Sequence, residues 1–313
     1  MPTGDILPIL LTLFGLVAVG HLLRAAAIVP TTAPEVLGRV IVHVTMPALI
    51  VVILARARYD AALLPALLAT TVALLVALAL GVLLLRALGQ GAAGLVAAFS
   101  NTAFLGVPFI LALFPTTPAA ATTAVIIDTV DTTILLLTLG VAVAGAMAGE
   151  PAPVTTPIRT RISRKLLTLL RQPMIIAVMI GLGLAATDVP VPAPLAGPLT
   201  QIGQATPTLA FLTIGLGLDL RSLRGQAGPL AGIAAIKLVV SPAIAGLVLF
   251  ALGVRGEIAH TAVLQAAMPT AVVSAIIAAS AGCDARLASA AAVVTTLLSL
   301  LTLPLVVLIL RAL

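Results

Sequence analysis

The chain has 313 residues, of which 61% are hydrophobic and only 8% charged, where a soluble domain carries roughly 25% charged residues. With a mean hydropathy of +1.29, that composition excludes a soluble enzyme and describes an integral membrane protein. The formal net charge of +6 comes from basic residues scattered in short loops, which follow membrane topology rather than a nucleic-acid surface.

The N-terminal stretch MPTGDILPIL carries an acid and no Lys or Arg ahead of its apolar run, so it reads as a first span rather than a secretory signal. Counting about 20 residues per span, ten apolar segments succeed one another. They lie near 5–24, 35–55, 61–87, 91–114, 119–147, 166–187, 197–218, 227–251, 257–280 and 286–311. The longest polar break, Gly149 to Lys165, separates a first half of residues 1–148 from a second of 166–313. Cys283 is the single cysteine, so no intrachain disulfide can form.

The halves echo one another. Pro47 and Pro207 are 160 residues apart, and Pro108 and Pro269 are 161 apart, the offset expected of an internal repeat. Five spans per half make the second half enter the membrane in the opposite sense, so the repeat is inverted. With both termini outside, eleven loop Arg and Lys residues fall on the inner side, among them Arg159, Arg161, Arg164 and Lys165 of the linker. Four fall outside, at Arg56, Arg58, Arg255 and Arg311, and that asymmetry makes the linker cytoplasmic.

Segments four and nine do not read as plain spans. NTAFLGVP, from Asn101 to Pro108, and AVLQAAMPTAVVSAIIAA, from Ala262 to Ala279, each place a proline and polar residues at mid-span. Proline lacks the N–H and clashes with the carbonyl one turn back, and irregular backbone at membrane depth survives only in protein or beside a cavity. Paired interruptions in corresponding positions point to a transporter's substrate site. Proline is favoured at a first helical position, so Pro108 and Pro269 are each expected to open a second half-helix. Those positive ends would converge on an anion. The substrate candidates are Asn101, Thr102, Phe104, Gly106, Pro108, Gln265, Met268, Pro269, Thr270 and Ser274. Their polar members either satisfy freed backbone groups or touch substrate. Gly106 is the residue that would tolerate a positive φ at the turn. The spacing of Phe99, Phe104, Phe109 and Phe114 scatters them round a helix, so only Phe104, inside the break, is a site candidate.

Four titratable residues lie within spans. Asp128 and Asp131 fall near the centre of the fifth, and at i and i+3 they share a face. An acid there costs ~2.5 to 3.5 kcal/mol on insertion scales and is functional by default. Two close carboxylates resist joint ionisation, which suits proton coupling. Lys237 in the eighth span either pairs with an Asp or meets a substrate carboxylate. His43, one turn before Pro47, is a further candidate for titration. No clustered metal ligands or catalytic motifs occur, and neither cofactor nor nucleic acid is implied.

NTAFLGVP, AAMPTAVVSA, LGRVIVHVTMPAL and TPTLAFLTIGLGLDL together resemble the auxin efflux carrier family, which includes the plant PIN carriers and bacterial malonate or malate permeases. The likeness covers essentially the whole chain. It implies crossed, broken fourth and ninth spans in a transport domain of spans 3 to 5 and 8 to 10, with spans 1, 2, 6 and 7 as a scaffold through which two copies pair. More distantly, the architecture is similar to the bile acid sodium symporters. The expectation is therefore an all-α carrier of organic anions in the cell membrane, coupled to protons or uncoupled. Alternatives are a sodium-coupled symporter and, from another class, an intramembrane aspartyl protease. The GLGLD run from Gly215 to Asp219 misses the protease motif by one residue.

Overall fold

In the computed structural model, residues 6–57, 60–147, 167, 170–218 and 226–312 are described. The 149–165 linker, Arg58 and Asp219 lie outside them. Among these residues all regular structure is helical, and the one extended feature is an isolated bridge between Ser100 and Thr270. The helices are α1 (Ile6–Ala25), α2 (Ala33–Leu54), α3 (Leu63–Arg86), α4a (Gly94–Ala98), α4b (Thr102–Leu113) and α5 (Pro118–Met147). There follow α6 (Pro173–Ala186), α7 (Ala193–Gly217), α8 (Ala227–Ala251), α9a (Glu257–Ala266), α9b (Val272–Ser280) and α10 (Ala285–Ala312). Five of them, α2, α3, α5, α8 and α10, are long and apolar enough to cross a membrane individually.

Side-chain size sorts the faces of these helices. Along α3, Ala66, Ala69, Ala73, Ala77 and Gly81 are buried while Leu64, Leu68 and Leu83 are exposed. Small residues let helix backbones approach in lipid, where there is no hydrophobic drive between helices. A Cβ on Gly81 would stand 2.8 Å from that of Ala97 in α4a, so the two helices touch almost backbone to backbone. The same device joins α1 to α7, where a Cβ on Gly215 would fall on the Val17 carbonyl and one on Gly20 on that of Leu212. Arg24, ending α1, donates to the Leu216 carbonyl at 2.8 Å and fastens the pair.

Two packing groups result. In one, α1 and α2 lie against α7, and α6 lies along the second half of α2. In the other, α3 packs on α4a, α8 and α9a, while α9b lies against α10. Between them run α4b and α5, with α4b touching α1 and α7.

Many of these helices are not uniformly α. Wide π-helical turns occupy Ile41–Thr45 in α2, Thr102–Gly106 in α4b, Asp128–Ile134 and Leu136–Gly140 in α5, and Ile236–Val240 in α8. Such turns are rare and gather at functional positions. Here they contain Thr102, Asp128, Asp131, Lys237 and His43.

Candidate functional site

Both expected interruptions are present, and they meet. The fourth segment leaves helical geometry at Phe99, whose φ and ψ are −79° and 124°, and resumes at Thr102. The ninth leaves it after Ala266 and resumes at Val272. The two extended pieces pair as a minimal antiparallel ladder. Asn101 N–H donates to the Pro269 carbonyl at 2.7 Å and Ala271 N–H to that of Phe99 at 2.9 Å. Each break thus supplies the backbone partners that the other has lost, as a buried main chain requires.

Pro108 does not open a half-helix. It lies one turn inside α4b, immediately after the π-turn, whose bonds from Leu105 and Gly106 N–H to the Asn101 carbonyl set the widened geometry. A ring without an N–H is accommodated where the ladder has already been loosened. Pro269 lies in its break, three residues ahead of α9b. Gly106 also corrects the expectation: its φ is −66°, ordinary helical backbone. What requires glycine there is proximity, since a Cβ would land on Gln265 Oε1 and stand 3.2 Å from Met268 Cγ.

Hydroxyls close most of the remaining open groups. Thr270 Oγ1 donates to the Val96 carbonyl of α4a at 2.6 Å, and Thr270 N–H donates to Thr295 Oγ1 at 3.1 Å. Ser274 Oγ donates to the Ala271 carbonyl at 2.7 Å, and Gln265 Nε2 to the Ala124 carbonyl at 3.1 Å. Two groups stay open. Gln265 Oε1 is buried without a donor, and nothing among the described residues hydrogen-bonds the side-chain amide of Asn101, a residue only 6% exposed. Among the described residues, no backbone carbonyl receives the N–H of Thr102, Ala103, Phe104, Val272 or Val273.

The buried charges stand around this junction. Thr102 Oγ1, at the start of α4b, donates to Asp128 at 2.6 Å, which sets an acid at a positive helix end. Thr71 Oγ1 of α3 donates to Asp131 at 2.7 Å. The expected i, i+3 pair is therefore drawn to two different helices. Lys237 is fully buried and donates to the Ala266 carbonyl at 3.0 Å, the end of α9a. It forms no ion pair with either acid, and Arg39–Glu35 on α2 is the ion pair found among the described residues. A narrow cleft lined by Ser100, Thr102, Asp131, Thr132, Ser241 and Gln265 runs between them, with room for about one water molecule.

Of the sequence candidates, Asn101, Thr102, Gly106, Pro108, Gln265, Met268, Pro269, Thr270 and Ser274 lie buried in and around the junction. Phe104 is half-buried beside it, while Phe99, Phe109 and Phe114 are core residues. Asp128, Asp131 and Lys237 adjoin it. His43 stands apart: it is exposed on α2, and its Nδ1 lies 2.9 Å from the Arg39 carbonyl. The sequence reading missed Thr71, Thr132, Ser241 and Thr295. Thr132 follows Asp128 by four residues and meets the same Thr102 hydroxyl, while Ser241 follows Lys237 by four and accepts from its ammonium.

An all-helical apolar bundle with two interrupted members joined at their breaks beside buried charges is a multi-pass membrane protein of the transporter class. The chain belongs to the membrane transport protein family, whose model matches residues 5–307, and the resemblance to the auxin efflux carriers is borne out. Two relatives align along nearly their full length. An "Uncharacterized transporter" of Methanothermobacter thermautotrophicus is 28% identical over 303 residues, covering 94% of this chain and 95% of the relative. A "Putative malonate transporter" of Rhizobium meliloti is 28% identical over 311 residues, covering 96% and 93%.

Proposed function

We propose that this protein is a secondary carrier of small organic anions, working by alternating access, with the anion received where α4 and α9 meet. The observation that carries this reading is the joined break, which leaves unused donors on the buried N-terminus of α4b and on the Asn101 amide, beside the more exposed N-terminus of α9b. A carboxylate is the natural partner of such ends. No arginine lies in either interrupted segment to serve instead. The name of the Rhizobium meliloti relative makes malonate the first substrate to try, with malate and an aromatic carboxylate beside it.

In this reading the halves 1–148 and 166–313 form a five-plus-five inverted repeat. Helices α3 to α5 and α8 to α10 move as the transport domain against a scaffold of α1, α2, α6 and α7, through which two copies pair. The two packing groups support that division. The protein lies in the cell membrane with both termini outside and the 149–165 linker in the cytoplasm. Asp128 and Asp131 carry protons if movement is coupled.

Counterflow in liposomes tests the proposal. Protein loaded with unlabelled malonate should draw in labelled malonate transiently above equilibrium. If correctly folded protein gives no counterflow with malonate, malate or an aromatic carboxylate, the carrier reading for this substrate class fails.

A further inference from the structure

Lys237 is a fully buried lysine whose surroundings suit a metal ion better than a salt bridge. Its Nζ donates to the Ala266 carbonyl at 3.0 Å and to Ser241 Oγ at 3.4 Å. No carboxylate among the described residues lies within 4.0 Å of it, although Asp131 is close enough for its charge to act on it. Long basic side chains inside a bilayer ordinarily snorkel to the interface or end on an acid. This one ends on the carbonyl that closes a half-helix, the negative end of α9a.

The ligands that meet there are all oxygens. Ala266 contributes a carbonyl freed by the break and Ser241 a hydroxyl, and both border the cleft that also holds Asp131, Gln265 and Ser100. Gln265 Oε1, buried without a donor, adds a further open acceptor in the same neighbourhood. A half-helix end with unwound carbonyls beside one carboxylate is where a broken-helix carrier binds an alkali cation, and oxygen-only sets are what hard cations take.

We propose that Lys237 fills a monovalent-cation site with its own tethered charge, its ammonium standing where a sodium or potassium ion would otherwise sit at the end of α9a. The break is then partnered by the chain itself, and the protein needs no metal ion to complete its transport domain. This reading gives the carrier assignment its ion requirement and rests on it for that meaning alone. The assay below uses no organic substrate, so the two fail separately.

The test compares Lys237→Ala with Lys237→Met in the purified full chain. Alanine vacates the site and leaves its oxygens in place; methionine refills much of the same space with an apolar chain. Melting temperatures are measured in choline chloride and in lithium, sodium and potassium chlorides at matched ionic strength. Wild type and Lys237→Met should melt alike in all four. Lys237→Ala should rise by a few degrees, with saturation, in at least one metal chloride once the ion exceeds its Kd about tenfold. An alanine variant that folds only with a metal chloride also supports the proposal. It is overturned by saturable metal stabilisation of wild type, by a folded Lys237→Ala indifferent to all three ions, or by Lys237→Met responding as alanine does. It is equally overturned if Lys237→Ala folds in no salt while Lys237→Met folds.

Discussion

Replacing Gly106 by valine places a branched side chain against the carboxamide of Gln265. The backbone itself raises no objection, since φ is −66° at Gly106. The obstacle is steric: the first added carbon would coincide with Gln265 Oε1, stand 2.9 Å from its Cδ and 3.2 Å from Met268 Cγ. Gln265 must swing away and give up its 3.1 Å bond to the Ala124 carbonyl. Stranding that buried amide costs ~1 to 3 kcal/mol, and overpacking adds ~1 to 3 kcal/mol. The Asn101–Pro269 ladder beside it would shift with them. Malonate titrated into purified Gly106→Val should bind at least about tenfold more weakly, a loss of ~1.4 kcal/mol. Adding Gln265→Ala should restore part of the melting temperature, because the colliding atoms are gone. Wild-type malonate affinity in Gly106→Val would refute a site at this junction. A double variant no more stable than Gly106→Val would refute the collision as the cause.

Thr270→Val removes the donor to the buried Val96 carbonyl and should cost ~1 to 3 kcal/mol of stability, read in thermal melts, with a smaller loss of malonate binding than Gly106→Val; an unchanged melt would show that the hydroxyl is dispensable. Asp128→Asn with Asp131→Asn should abolish pH-driven malonate accumulation in proteoliposomes while leaving counterflow intact, and accumulation equal to wild type would make the acids structural. A cysteine placed at Thr156 should escape a membrane-impermeant maleimide in intact cells and react after lysis; efficient labelling in intact cells would invert the topology. The background in that experiment should be small, because burial first and the Asp284 charge second push the Cys283 thiol up to about 11. At neutral pH it is protonated and a poor nucleophile, so wild-type labelling after lysis should be slow at pH 7 and faster as the pH rises towards 11.

The two interruptions were legible because proline, asparagine and threonine in an apolar run contradict an unbroken span. Their detailed placement was not. Helix α4b begins six residues ahead of Pro108, since a π-turn absorbs the proline and leaves no mark in hydropathy. Gly106 stands out in the sequence for backbone freedom, whereas what requires glycine there is its neighbour in space, Gln265, 159 positions along the chain. Pairing of Lys237 with an acid was a natural expectation from two opposite charges in facing spans, yet the lysine answers to the end of a half-helix, a partial charge with no residue letter. Threonines such as Thr71 and Thr295 pass unnoticed because a single hydroxyl barely alters an apolar run, although each meets a buried polar group.

The wide turns carry a consequence for how this chain tolerates change in length. Each accommodates a residue more than α geometry needs, so losing one residue there would let the backbone re-knit with ordinary bonds. Everything beyond the deletion would then keep roughly its place, whereas a loss from an ordinary α-turn would rotate it by about 100° and draw it back by about 1.5 Å. In α8, a deletion between Lys237 and Ser241 would bring the serine to i+3, still on the face that meets the ammonium. In α5, wide turns run from Asp128 to Ile134 and again from Leu136 to Gly140, and a loss in the second would leave the contacts of Asp128 and Asp131 untouched. The wide turns are therefore where these inner helices can lose a residue with least disturbance to what lies beyond.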